Sequence, residues 1–175
     1  MISSSPSTGT VGGANRATWT FARNQLYRAL TDGGAVKSAT NIVTYMDRLW
    51  LACTRGADTP DLIVMDNSDF AFFEGSVHPL QRITNATSAE IGWRGYKYKG
   101  ADVIADGGIG GDMPANSSYF INTKYLFLRP HADRNMDVIG GDRIPVQQDA
   151  MVRIIGWAGN ATGSNFQLQG LLNNV

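Results

Sequence analysis

The stretch from Asp61 to Asp106 constrains the fold of this 175-residue chain more than any other. Asp61–Asp66 is a short apolar run between acidic residues and predicts a buried strand. Asn67–Glu74 begins with polar residues that can accept the free amides of a helix start, and predicts an amphipathic helix. Gly92–Asp106 contains a tight Lys99-Gly100 turn and predicts a hairpin. Strand, helix and hairpin in this order predict an α+β domain.

Composition narrows the class of protein. A chain of 175 residues is expected to form one domain or two closely packed subdomains. Charged residues make up only 17%, against about a quarter in typical globular domains, which indicates that other subunits cover part of the surface. The 15 basic and 15 acidic residues balance, so the chain has no electrostatic footprint for nucleic acid and little repulsion between copies.

Cysteine content and hydropathy exclude further classes. The single cysteine, Cys53, excludes an internal disulfide and a thiolate metal cluster, and is predicted to be a buried small hydrophobe. No run approaches the roughly 20 apolar residues that cross a bilayer. Met1–Pro6 lacks the positive start and apolar core of a signal peptide. The chain is therefore expected to be synthesised in the cytoplasm and to have no membrane partner.

The clearest helix is predicted over Ala39–Arg55. Its apolar residues recur every three or four positions, at Ile42, Met46, Leu49 and Cys53. Ser38 or Thr40 is predicted to cap the start of this helix. Gly56 is predicted to end it in a left-handed conformation.

The C-terminal half is predicted to consist mainly of strands. Tyr119–Leu128 predicts two short strands or one kinked strand, and Ala150–Trp157 and Asn165–Leu172 predict one strand each. Arg129–Gln148 is polar, with paired glycines, and predicts a long loop. The tryptophans are predicted to lie mainly in the core, with one or two available as interface anchors. They are Trp19, Trp50, Trp93 and Trp157.

The glycine-rich segment Gly107–Pro114 follows a predicted strand and suggests a dinucleotide site. Pyrophosphate binding requires a helix N-terminus directly after the glycines, whereas this segment leads into another strand. A flexible loop that a neighbour can approach closely is the favoured interpretation. Asp102, Asp106 and Asp112 lack the ligand spacing and closing glutamate of a calcium loop. No cofactor or metal is predicted.

The two histidines, His78 and His131, are the candidates for acid–base chemistry. Neither is accompanied by a Gly-x-Ser-x-Gly nucleophile elbow, and both are predicted to be turn or loop residues. The chain is therefore predicted not to be an enzyme, and a hydrolase using either histidine is kept as a third alternative.

Charges of both signs alternate within the predicted C-terminal loop. Arg129, Arg134 and Arg143 alternate with Asp133, Asp137 and Asp142. This pattern fits a solvated loop, and it equally fits bridges that set the register between subunits.

Seven segments in order resemble the second half of tailed-phage major capsid proteins. They are Ser5–Gly13, Trp19–Asn24, Thr59–Asp66, Lys99–Gly108, Tyr119–Leu126, Leu128–Met136 and Gln148–Asn160. The resemblance covers nearly the whole chain, and its specificity lies in the order and spacing of the segments together.

The resemblance implies the Johnson fold, also called Hong Kong 97-like, which encapsulins share. The implied fold class is α+β, with a mixed, mainly antiparallel axial-domain sheet, flanking helices and part of a peripheral domain. The expected organisation is a flexible lead-in over residues 1–17 and a helical segment at the peripheral/axial junction over 18–60. The axial domain is expected over 61–149, and strands returning to the peripheral domain over 150–175.

The chain departs from the family because the N-terminal arm, the extended loop and the spine helix are absent. It is therefore expected to be a C-terminal half, either truncated or a short relative. The implied function is a structural subunit of a phage or prophage capsid, forming pentamers and hexamers around viral DNA in the virion. The alternative is a capsid-derived modulator of capsid assembly or trigger of host defence.

The expected partners are copies of the chain and intact capsid protein, scaffolding and portal proteins, and packaged DNA bound non-specifically. Two predicted loops are the candidate subunit interface. Their residues are Gly107, Gly108, Gly110, Gly111 and Asp112 in one, and Arg129, Asp133, Arg134, Asp142 and Arg143 in the other.

Overall fold

The computed structural model describes residues 2–77, 96–141 and 151–175. The predictions made for His78, Gly92–Gly95, Asp142 and Arg143 lie outside the described residues. The chain divides into two compact units. One is built from the chain up to Tyr125 together with Asn165–Val175, and the other is Leu126–Ser164.

Within the described ranges, the secondary structure consists of ten strands, three α-helices and two short 3₁₀ helices, Thr20–Ala22 and Thr123–Tyr125. The strands are β1 (Thr10–Val11), β2 (Ala14–Asn15), β3 (Gln25–Arg28), β4 (Leu62–Met65), β5 (Tyr96–Tyr98), β6 (Ala101–Ala105), β7 (Ser117–Ile121), β8 (Leu126–Val138), β9 (Ile155–Gly163) and β10 (Gly170–Asn173). The helices are α1 (Ala29–Gly33), α2 (Ile42–Cys53) and α3 (Asn67–Val77). None of these helices is both long enough and apolar enough to span a membrane.

In the larger unit, six of the described strands form one sheet in the order β3-β10-β7-β4-β6-β5. Strand β7 is antiparallel to both β10 and β4, and β5 is antiparallel to β6. The pairs β3–β10 and β4–β6 are parallel. The predicted α+β class, with a mixed and mainly antiparallel sheet, is confirmed.

The hydrophobic core lies between this sheet and helices α2 and α3. The predicted apolar stripe of α2 is confirmed, since Ile42, Met46, Leu49 and Cys53 are all buried. The sheet contributes alternating residues from its central strands, as expected for a face packed on helices. They include Ile63, Met65, Phe120 and Leu172.

The predicted ends of α2 are wrong in detail. Its N-cap is Asn41, whose side chain makes no capping hydrogen bond and instead accepts from the Ser38 amide at 2.7 Å. The Ser38 hydroxyl lies 2.9 Å from the Thr40 hydroxyl, so neither caps the helix. The helix ends at Cys53, before Thr54 in an extended conformation. Gly56 has the expected positive φ of 63°, but it lies in the turn that follows.

The elements predicted around Asp61 to Asp106 are confirmed where the structure describes them. The predicted strand is β4, and the predicted helix is α3, which continues to Val77. Lys99 and Gly100, with φ values of 49° and 95°, form the tight turn between β5 and β6. Positive φ at both central residues matches the twist of a two-residue hairpin.

The predicted loop at Arg129–Gln148 is wrong in its described part, because β8 continues through Val138 and pairs antiparallel with β9. The polar residues misled the prediction, since a ribbon exposed on both faces does not need the apolar alternation of a half-buried strand. The other two C-terminal strands begin later than predicted, β9 at Ile155 and β10 at Gly170.

Hydrogen bonds hold the N-terminal residues. Strands β1 and β2 pair as a small antiparallel hairpin. The Ser3 amide donates to Asn24 Oδ1 at 2.9 Å, and the Arg23 Nε donates to the Arg16 carbonyl at 2.6 Å. These bonds connect the first residues to the segment that precedes β3.

Candidate subunit interface

The glycine loop between β6 and β7 folds closely onto the start of α3. The Asn67 side-chain amide is oriented so that its nitrogen donates to the Gly107 carbonyl at 3.3 Å and its oxygen accepts from the Gly108 amide at 3.2 Å. A Cβ atom at Gly107 would lie 2.6 Å from Asn67 Cγ, and one at Gly111 would lie 2.8 Å from the Asp106 carbonyl oxygen. These two glycines are therefore required by internal packing of the loop.

Gly110 differs from them, because a Cβ atom there would meet nothing within 4 Å. Its φ of 87° is the left-handed region that favours glycine. Among the predicted interface glycines, Gly110 is thus one that the turn itself requires. Asp112 follows in the same loop and is exposed.

A carboxylate already occupies the start of α3. Asp66 Oδ2 accepts hydrogen bonds from the Ser68 amide at 3.4 Å and from the Asn116 amide at 3.0 Å. Burial alone would raise the pKa of Asp66, but these backbone hydrogen bonds outweigh it and hold the pKa below its ordinary value. An anionic ligand such as pyrophosphate would be repelled here, which agrees with the sequence argument against a dinucleotide site.

Among the residues that the structure describes, the groups considered for metal binding do not converge. Within residues 2–77, 96–141 and 151–175, no set of three or more His, Cys, Asp or Glu side chains is arranged to hold a metal. Asp102 forms an exposed ion pair with Lys97 at 3.1 Å. His131 is exposed, and its Nδ1 accepts from the Asp133 amide at 3.2 Å.

The smaller unit is a long two-stranded ribbon formed by β8 and β9, which we call the hairpin unit (Leu126–Ser164). It contains the predicted interface residues Arg129, Asp133 and Arg134. The Arg129 Nε donates to Thr162 Oγ1 at 3.0 Å, and its guanidinium lies 5.9 Å from the centre of the Phe127 ring. Asp133 and Arg134 lie in a bulge of β8, where the register shifts between Pro130 and Asn135.

The hairpin unit is unusually exposed. Every residue of β8 after Leu126 is exposed. Of the eighteen large apolar side chains exposed among the described residues, ten belong to this unit. An isolated two-stranded hairpin is at best marginally stable in water. The hairpin unit therefore has the properties of a surface that becomes covered in an assembly.

The structure places the predicted interface residues in two separate groups. The glycines and Asp112 belong to the larger unit, and Arg129, Asp133 and Arg134 belong to the hairpin unit. The exposed apolar residues of the hairpin were missed. The apolar runs in Leu126–Leu128 and Ile154–Trp157 were the available signal, but they were interpreted only as strands. The core prediction for the tryptophans is right for Trp50, at 6% exposure, and wrong for Trp19 and Trp157, at 54% and 46%.

No protein-family model matches the chain, and no curated protein does. Among solved structures, the chain is similar to a chain of the cyanophage A-1(L) capsid asymmetric unit, with a TM-score of 0.55 and 16% sequence identity. The similarity covers 96% of this chain and 56% of that chain. The protein thus has the α+β fold of a phage capsid protein and spans little more than half of that relative's length.

Proposed function

We propose that the protein is a structural subunit of a bacteriophage or prophage capsid, located in the virion, and that it acts by association and not by catalysis. The observation that carries this proposal is the fold, which is similar to a phage capsid chain over 96% of this chain. The exposed ribbon of the hairpin unit supports it, because such a surface suits a protein that is covered by its neighbours.

In this proposal the fold is Hong Kong 97-like, and the chain is organised as the sequence suggests. Residues 61–149 form most of the axial domain, residues 18–60 lie at its junction with the peripheral domain, and residues 150–175 return to that domain. Residues 1–17 serve as the lead-in. In this proposal the chain supplies the C-terminal half of a capsid subunit, as the sequence resemblance implies.

Association proceeds through rings. Subunits that contact one another head to tail close into pentamers and hexamers when the rotation between neighbours allows it. Each contact can be weak, because contacts repeated around a ring act at high effective concentration. Balanced charge, 15 basic and 15 acidic residues, keeps long-range repulsion between copies small. Arg129, Asp133 and Arg134, with Asp142 and Arg143, set the register between neighbours, and the glycine loop contributes close contacts.

Further partners follow from the same role. The subunit is made in the cytoplasm of the bacterial host and joins intact capsid protein there. Scaffolding and portal proteins contact the growing shell. Packaged DNA is bound weakly and without sequence preference, as expected for a neutral surface.

The test is assembly of the protein, alone and co-expressed with a full-length capsid protein, followed by sedimentation and negative-stain electron microscopy. Rings or shells that contain the chain are expected. The double variant Arg134→Asp/Arg143→Asp should reduce them, whereas Lys97→Asp, a matched charge reversal at a residue that is 71% exposed, should not. Absence of the chain from every assembled particle would contradict the proposal.

The alternative function is modulation of capsid assembly or triggering of host defence. The same co-expression experiment distinguishes it from the structural role. A structural subunit is incorporated and leaves the yield of shells unchanged. A modulator changes the yield or the size of shells at low stoichiometry, and a trigger of defence stops growth of the host without any change in shells.

A further inference from the structure

The register of the hairpin unit assigns its side chains to two faces. Residues paired across antiparallel strands share a face, and so do alternate residues along a strand. Strand β9 keeps a regular register while the extra residues lie in β8, so alternation along β9 is unbroken from Ile155 to Gly163. The residues Ile155, Trp157 and Gly159 therefore lie on the same face.

The partners of these residues complete that face. Val138 pairs with Ile155, Pro130 pairs with Gly159, and Leu128 pairs with Ala161. The Trp157 ring lies across Gly159, where a Cβ atom would be 2.5 Å from ring atom Cζ2. We call this surface the apolar face of the hairpin. It consists of Leu128, Pro130, Val138, Ile155 and Trp157, and Asn135, the partner of Trp157, is a polar side chain on it.

The opposite face has a different chemistry. It carries Phe127 and Arg129 on β8, and Asn160 and Thr162 on β9. Arg129 is held there by its hydrogen bond to Thr162 and by the Phe127 ring. Two polar groups of this face, Arg129 and Thr162, thus have partners within the hairpin. On the apolar face, Leu128 is 68% exposed, Ile155 62% and Trp157 46%, so these side chains gain most from being covered.

We propose that the apolar face of the hairpin is a homotypic contact, which packs against the same face of a second copy of this chain. This inference rests on the proposed function and adds a two-fold contact to the head-to-tail contacts of the rings.

Shape and charge favour a second copy as the occupant. In the half of the hairpin nearest its base, Leu126 and Leu128 on β8 lie opposite Gly163 and Ala161 on β9. A bulky ridge thus runs beside a trench of small residues, and a two-fold related copy places its ridge in that trench. The described charges of the hairpin unit are three arginines and two aspartates, so two copies do not repel strongly.

The area that the hairpin can bury indicates a weak contact. A 13-residue strand at about 3.3 Å per residue, in a ribbon about 10 Å wide, offers roughly 400 Å² per partner. A standard stable interface buries about 800 Å² per partner. One pair of hairpins therefore forms a weak dimer, which dissociates on dilution and persists when the contact is repeated in an assembly.

The first experiment is sedimentation velocity of the whole chain over a wide range of concentrations. Wild type is expected to self-associate reversibly. Ile155→Asp places a carboxylate on the apolar face and should raise the dissociation constant at least tenfold. Phe127→Asp makes the same kind of change on the opposite face of the same hairpin and should leave it nearly unchanged. Circular dichroism and thermal unfolding establish that both variants are folded.

The second experiment is thiol cross-linking, which does not depend on a destabilising charge. Native Cys53 is fully buried, so an introduced cysteine is the reactive thiol. Leu128→Cys with a short bis-maleimide should give covalent dimers, and the neighbouring Phe127→Cys should not. Equal cross-linking at both positions, or none at Leu128→Cys, would overturn the proposal. So would a wild type that is monomeric at all concentrations and cross-links only to another protein.

The two proposals fail in different ways. If Ile155→Asp self-associates as strongly as wild type in sedimentation velocity while the chain still enters rings or shells, the homotypic contact is wrong and the capsid role stands. If wild type dimerises through the apolar face but never enters a ring or shell, the contact stands and the capsid role is wrong.

Discussion

Lys37 and Asp69 form an ion pair that is wholly enclosed in the larger unit, with neither side chain exposed. The Lys37 Nζ donates to Asp69 Oδ2 and, at 2.7 Å, to the Asn116 carbonyl. The Ser118 hydroxyl donates to the same carboxylate oxygen at 2.6 Å. Burial lowers the pKa of Lys37, and the neighbouring charge of Asp69 opposes that effect. The pair joins the segment before α2 to helix α3 and strand β7.

Removing one member of this pair should be costly. Lys37→Met leaves the Asp69 carboxylate buried without a counter-charge, and we expect it to lower the free energy of unfolding by about 3–5 kcal/mol. Lys37→Met/Asp69→Leu removes both charges and should recover most of that loss. Urea unfolding monitored by circular dichroism measures both. The control is Lys97→Ala, which removes an exposed pair and should cost less than about 1 kcal/mol. A Lys37→Met protein as stable as wild type would contradict the prediction.

Asp47 gives a pH-dependent prediction. Burial alone would raise its pKa, but hydrogen bonds from Lys99 and Tyr98, with the charge of Lys99, lower the pKa below the ordinary 3.8. A lowered carboxyl pKa stabilises the fold fully above that ordinary value, and the stabilisation is lost as pH falls through the folded-state pKa. Because Asp47 is 43% exposed, the effect is screened by solvent. Asp47→Asn should cost about 0.5–1 kcal/mol at neutral pH, and this cost should shrink as the pH falls below 3.8. A stability difference from wild type that is unchanged by acidification would rule this out.

Gly170 lies where α2 approaches the sheet closely. A Cβ atom at Gly170 would lie 2.6 Å from Cys53 Sγ and 3.0 Å from Leu49 Cδ1. Gly170→Ala is therefore expected to lower the free energy of unfolding by about 1–3 kcal/mol through overpacking. Cys53→Ala alone should destabilise, yet the double variant should be more stable than the sum of the two changes predicts. Additive effects in urea unfolding would show that the two sites are not in contact.

The Cys53 thiol should be unreactive in the folded protein. Burial raises its pKa to about 12, so the thiolate that reacts with disulfide reagents is scarce at neutral pH. Modification by Ellman's reagent should proceed only as fast as the chain opens, and rapidly in denaturing urea. Fast labelling of the native chain would mean that Cys53 is not buried between α2 and the sheet. The same measurement is the background control for the cross-linking experiment.

The sequence predicts the larger unit better than the hairpin unit, for a physical reason. Helix α2 and strand β4 pack against a core. Their buried positions are therefore apolar and recur with the period of the element, as Ile42, Met46 and Leu49 do. Strand β8 has solvent on both faces in one copy of the chain, so Arg129–Val138 carries no such period. Its pairing depends on the partner strand β9, which lies far along the chain and which no local pattern specifies.

The candidate interface, too, could be predicted from the sequence only in part. Arg129, Asp133 and Arg134 were predicted from their charges, which are visible in any sequence. That Leu128 and Trp157 share a face follows only from the register of β8 with β9, because the bulge between Pro130 and Asn135 breaks the alternation along β8. A one-residue change in register would move these side chains to opposite faces.

In the sequence, the hairpin unit comes between β7 and β10, which pair antiparallel in the sheet. Its departure point is fastened by Asp61, which accepts from the Thr123 amide at 2.8 Å, and by Asp58, which accepts from the Lys124 ammonium at 2.9 Å. The hairpin is thus an insertion in the connection between β7 and β10, which a simple turn could otherwise make. Descendants of one ancestor can lengthen, shorten or recode it by insertion and deletion while the packed body stays the same. Specificity for neighbours can therefore evolve faster than the fold that carries it.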